Sequence, residues 1–141
     1  MARMLASEEG NSDNLIKTAC AWATLNQARA LGKGIAAVLT HARTPEHSGR
    51  FGTFKDIEEG TERYNLADRY ASTALDPFRG DADIAGYVLA GTVPDPTGGA
   101  THFDRPGGEK DPDHIAQIRA GEGLRPVPVP GIDPTELRFW A

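Results

Sequence analysis

A single cysteine, Cys20, stands among the 141 residues, so no internal disulfide can staple this fold. It lies in the apolar stretch ACAWATL (19–25), where a small buried hydrophobe is its expected role. No window approaches the ~18 consecutive apolar residues that a membrane span needs. The start lacks the basic-then-apolar pattern of a signal peptide. The expected setting is therefore synthesis and folding in a reducing cytoplasm, without membrane association. A basic stripe is missing too: 15 lysines and arginines are scattered among 20 acids, for a formal charge of -5. That excludes the electrostatic footprint of a nucleic-acid binder. Metal-ligand patterns are equally scarce. His41 and His47 are six apart, His102 and His114 twelve apart, and none belongs to an H-E-x-x-H or cysteine-rich motif. Neither a metal nor a cofactor is expected.

What is present suits one globular domain with a single core, at 39% hydrophobic residues. Sixteen glycines and ten prolines predict short helices and long, turn-rich loops. The stretch ARMLASE (2–8) can form a short helix with Met4 and Leu5 on its apolar side, broken by Gly10. Asn11, Ser12 or Asp13 can cap the next one. From there Leu15, Ile16, Ala19, Cys20, Trp22, Ala23 and Leu25 recur at three-and-four spacing, which predicts a largely buried helix ending near Gly32 and Gly34. GIAAVLTHA (34–42) reads as a shorter helix. Residues 44–60 read as a long loop or a small β-hairpin lobe, and 61–80 as partly helical. DADIAGYVLAG (81–91) is a further short helix with Ile84, Val88 and Leu89 inward and Gly91 as its stop. HIAQIRAG (114–121) is a weak helix. The prolines of LRPVPVPGIDP (124–134) favour an extended arm. The fold expected is mainly α: residues 1–120 form the domain, and 121–141 form a proline-rich arm packed on it or on a partner.

Two stretches carry more. Glu8 and Gly10, followed by ACAWATLNQAR (19–29), resemble the first motif of the SleB/CwlJ-like cell wall hydrolases. In that family a glutamate and a nearby glycine precede an alanine-rich helix ending in an LNR-like triplet. Leu25-Asn26 matches, with Gln27 where arginine is usual. AGYVLAGTVPDPTGGATHFDRP (85–106) resembles the family's closing segment, a short helix and glycine followed by D-x-T-x-G-A, an aromatic and a proline. RYASTALDP (69–77) and Phe51-Gly52 fall between them in order. The resemblance covers roughly residues 1–106 and implies a lysozyme-like architecture. It also implies a peptidoglycan-cleaving activity, with glycan strands as substrate and partner. Counting back from Asn26 at the family's spacing reaches Glu8, not Glu9, as the catalytic acid.

Cleavage between N-acetylmuramic acid and N-acetylglucosamine needs a proton on the glycosidic oxygen. Free glutamate, with pKa ~4.3, must be pushed upward to hold that proton. An apolar setting and a helix C-terminus both do so. Adjacent helical positions point ~100° apart, so Glu8 and Glu9 cannot both face one cleft. The resemblance implies a one-glutamate scheme in which the substrate's C6 hydroxyl attacks C1 to give an anhydro product. Attack by water instead needs a second acid, for which Asp95, Glu46 and Asp104 are the candidates. The hydrolase and lyase outcomes both stay open here. Gly98 and Gly99 can let backbone amides approach a sugar, Thr97 and Thr101 can donate to acetamido or hydroxyl groups, and His102 can orient substrate. Asn26 can hold the loop near Glu8, and Tyr70 can offer an apolar face to a sugar ring. A cytoplasmic product acting on a wall implies release by a membrane-permeabilising partner, or carriage in a phage or tail-like particle. The rival reading is a non-catalytic glycan-binding or structural domain of a phage particle or secretion assembly, docked through its proline-rich arm.

Overall fold

The computed structural model describes residues 1, 2, 4, 5, 12–40, 79–108 and 111–141. Within these the chain is mainly helical, with one small antiparallel sheet. The helices are α1 (Asn14–Ala30), α2 (Ile35–Thr40), α3 (Arg79–Ala90) and α4 (Pro112–Gly121). The strands are β1 (His102–Asp104), β2 (Pro126–Val127) and β3 (Arg138–Trp140). No helix among the described residues is long and apolar enough to cross a membrane.

The central element is α1. Asp13 caps it by accepting from Ile16 N at 2.9 Å, which satisfies an amide that the first turn leaves without a partner. The chain leaves the helix through Gly32 at φ 60°, a left-handed position suited to glycine. Ala19, Cys20, Ala21 and Ala23 are fully buried, and Trp22 nearly so. The small side chains let α3 lie close, and α1 packs more extensively on α3 than on any other described element. From α3 come Ile84, Ala85 and Val88. Leu89 does not join them: it is 49% exposed, one 100° step around the helix from Val88 and outside the strip that α1 covers. Met4 and Leu5, in helical backbone at the N-terminus, are buried in the same core.

Residues 121–141 contribute heavily to that core. Val129, Ile132, Leu137 and Phe139 belong to it, and Trp140 is buried beside it. Burial of each such side chain stabilises by about 1.5–3 kcal/mol. β3 is the middle strand of the sheet, paired with β1 (Phe103 opposite Phe139) and with β2 (Val127 opposite Phe139). Arg125 and Ala141 exchange both backbone hydrogen bonds, at 2.8 and 3.0 Å. Pro126 comes next, opposite Trp140. In an antiparallel ladder that position turns its nitrogen away from the partner, so the missing N–H costs no bond. It also removes a donor from the outer edge of β2, which guards against pairing with a foreign strand. The extended, proline-spaced segment is thus an edge of the sheet.

Candidate functional site

The loop DPTGGAT (95–101) leaves α3 and returns to the body beside α1. Its organiser is Asp95. Oδ1 accepts from Thr97 N at 2.8 Å and from the Thr97 hydroxyl at 2.6 Å. Oδ2 accepts from Gly99 N at 3.1 Å and from Asn26 Nδ2 at 2.7 Å. Asn26 Nδ2 also donates to the Ala100 carbonyl at 3.1 Å. One amide on α1 therefore holds both ends of the turn. Gly98 and Gly99 sit at φ 60° and 99°, which gives their glycines a purely local reason. Burial pushes the Asp95 carboxyl up. The hydrogen bonds from the Thr97 hydroxyl, the Asn26 amide and the Thr97 and Gly99 N–H groups outweigh it, and the carboxyl ends below its ordinary value.

Asp133-Pro134-Thr135 repeats the same tripeptide, and Asp133 Oδ1 accepts from Thr135 N at 2.8 Å and from its hydroxyl at 2.7 Å. Asp133 and Thr135 are exposed, and the carboxyl is again lowered, by those two bonds. The tripeptide alone makes the turn. What distinguishes Asp95 is its tie to α1.

These contacts fix what the side chains of the closing segment bind. Thr97 is 1% exposed; its hydroxyl donates to Asp95 and accepts from Ala100 N, so it is spent within the loop and does not donate to a sugar. Asp95 accepts four hydrogen bonds that define the turn. Asp104, on β1, is buried and accepts from Arg138 Nε at 2.8 Å, from Arg138 Nη2 and from Trp140 Nε1. The Arg138 guanidinium also lies over the Trp140 ring, 5.4 Å from its centroid. This cluster fastens β1 to β3 and engages both oxygens of the Asp104 carboxylate. The meeting of Arg138 and Trp140 with Asp104 spans 34 and 36 positions, and the sequence did not signal it.

The remaining residues of the closing segment do converge on α1. Gln27, the neighbour of Asn26, is buried, and its Nε2 lies 3.0 Å from His102 Nε2. The other ring nitrogen, Nδ1, lies 2.9 Å from Thr101 Oγ1. The structure thus brings Asn26, Gln27, Asp95, Thr97, Gly99, Thr101 and His102 into one hydrogen-bonded patch. Glu8, Glu9, Glu46, Tyr70, Phe51, His41 and His47 lie outside the described residues. No group of three metal-ligating side chains forms among the described residues. No protein-family model, curated protein or solved structure matches the chain.

Proposed function

We propose that the chain is a peptidoglycan-cleaving enzyme of lysozyme-like architecture, acting between N-acetylmuramic acid and N-acetylglucosamine with Glu8 as general acid. The observation that carries this reading is the direct joining of the two resembling stretches. Asn26 of the first donates to Asp95 and to the Ala100 carbonyl of the second, across 69 and 74 positions. Two motifs of one site are expected to meet; two chance similarities are not. Met4 and Leu5, four and three residues before Glu8 in the sequence, are buried in the core, and a carboxyl set among apolar groups is raised toward a proton-donating range.

The engagement of Asp95 and Asp104 favours the one-glutamate scheme. Glu8 gives its proton to the glycosidic oxygen, the bond to C1 breaks, and the substrate's C6 hydroxyl closes on C1 as its proton passes to the Glu8 carboxylate, which restores the acid. Mass analysis of fragments released from purified sacculi tests this. Anhydro ends are expected. Reducing ends would instead mean attack by water, with Glu46 as the remaining candidate second acid.

Two observations favour a second reading, a glycan-binding or structural domain without catalysis. Gln27 replaces the usual arginine and is bound to His102. The Asp133 turn also shows that the tripeptide forms without a site. Retention of the chain on sacculi without release of any sugar fragment would establish that reading.

A further inference from the structure

Among the described residues, five threonines spend their hydroxyl protons internally. Thr18 donates to Asn14 O, Thr24 to Cys20 O and Thr92 to Tyr87 O. Thr97 and Thr135 donate to the aspartates of their own turns. Thr101 differs because its hydroxyl faces an imidazole nitrogen whose state is fixed from the other side of the ring. The Gln27 amide nitrogen can only donate, so His102 Nε2 accepts from it. A neutral imidazole that accepts at Nε2 carries its proton on Nδ1, and Nδ1–H then donates to Thr101 Oγ1. The Thr101 backbone N–H is bound to Trp140 O at 2.8 Å. The hydroxyl proton is left with no acceptor among the described residues.

The three groups form a chain polarised in one direction, from the Gln27 amide through His102 to the Thr101 hydroxyl. Each bond strengthens the next. The chain ends at a half-buried hydroxyl, on the patch where Asn26 holds the loop. A hydroxyl that already accepts and must donate is matched by a ligand oxygen that has no proton of its own. We propose that Thr101 Oγ–H is a ligand-facing donor that selects a carbonyl acceptor, namely the N-acetyl oxygen of an amino sugar. His102 and Gln27 are its positioning residues. This specificity rests on the glycan reading above and assigns the acetamido preference to Thr101, with Thr97 excluded.

Two measurements on the full chain test it. The first is imidazole 15N NMR in alkaline solution, on the neutral ring. His102 should carry its proton on Nδ1. A proton on Nε2 would leave Nδ1 accepting from Thr101 and overturn the proposal. The second is calorimetric titration with a tetramer of N-acetylglucosamine and with its de-N-acetylated counterpart. The wild type should prefer the acetylated tetramer. Thr101→Val should weaken that binding about three- to tenfold, the worth of one hydrogen bond, and leave the other ligand unaffected. Thr101→Ser, which keeps the donor, should restore the preference and show that the loss is not one of folding. An unchanged preference in Thr101→Val, or no preference in the wild type, overturns the assignment. Acetyl selectivity without sacculus cleavage would sustain Thr101 as the donor and sink the enzymatic reading, so the two failures are distinguishable.

Discussion

Asn26 and Asp95, 69 positions apart, are joined by a 2.7 Å hydrogen bond that pins the loop of the closing segment to the central helix. Replacement of Asn26 by Leu removes that donor and the bond to the Ala100 carbonyl together. Leaving such acceptors unpaired costs about 1–3 kcal/mol. For a domain of this size the melting temperature should fall by roughly 3–10 °C. Calorimetric melting of the variant measures it, and an unchanged midpoint would show that the tie carries no stability.

Acid should act on the same contact. The Asp95 carboxyl is lowered from the ordinary 3.8. A group depressed on folding stabilises the protein above its unfolded pKa, and that contribution is lost as pH falls through the folded value. Urea unfolding from neutral to acid pH should therefore show a loss below about pH 4. In Asp95→Asn the part of this slope due to Asp95 should vanish. An identical acid slope in the variant contradicts the assignment.

A buried charge pair, Lys17 with Asp81 at 2.7 Å, joins α1 to α3. Asp81 is fully buried and its Oδ2 receives no hydrogen bond. Removal from water raises its pKa, and the hydrogen bond and charge of Lys17 offset this only in part. A raised carboxyl contributes stability that is fully present below its unfolded pKa and lost as pH rises through the folded one, the opposite of Asp95. Asp81→Ala should cost about 3–5 kcal/mol by removing one partner of a buried ion pair. The double change Lys17→Met, Asp81→Leu should recover most of that loss. Denaturation midpoints of the single and double variants decide the matter; a double variant no better than Asp81→Ala refutes it.

Two glycines with positive φ should differ in tolerance. At Gly98 (φ 60°) an added Cβ meets nothing within 4 Å, so Gly98→Ala carries only the backbone penalty of about 1–2 kcal/mol. At Gly131 (φ 88°) the same Cβ would lie 2.9 Å from Leu15 Cδ2. Gly131→Ala should therefore be the more destabilising, by the cost of moving a packed leucine. Equal midpoints for the two variants would contradict this.

The helices were legible because their signals are local. The three-and-four spacing of α1 and the aspartate before it sit within one stretch of sequence, and structure and reading agree there. Leu89 was misread because periodicity gives a helix's apolar residues but not the width of the strip its neighbour covers. The sheet was not legible: its strands are two or three residues long, two prolines flank Val127, and every pairing crosses a long stretch of chain. The Asp104, Arg138 and Trp140 cluster was hidden for the same reason. One signal for the site was in plain view. The tripeptide DPT occurs twice, and a repeated turn points to local geometry, leaving the partner on α1 as the feature that sets one copy apart.

The central claim, that Glu8 is the general acid of a glycan-cleaving enzyme, is tested most directly by digesting purified sacculi with the wild type and with Glu8→Gln. Glutamine keeps the shape and cannot deliver the proton. The account predicts soluble anhydro-ended muropeptides from the wild type and none above background from the variant. Undiminished release by Glu8→Gln, or no release by a folded wild type, would contradict it.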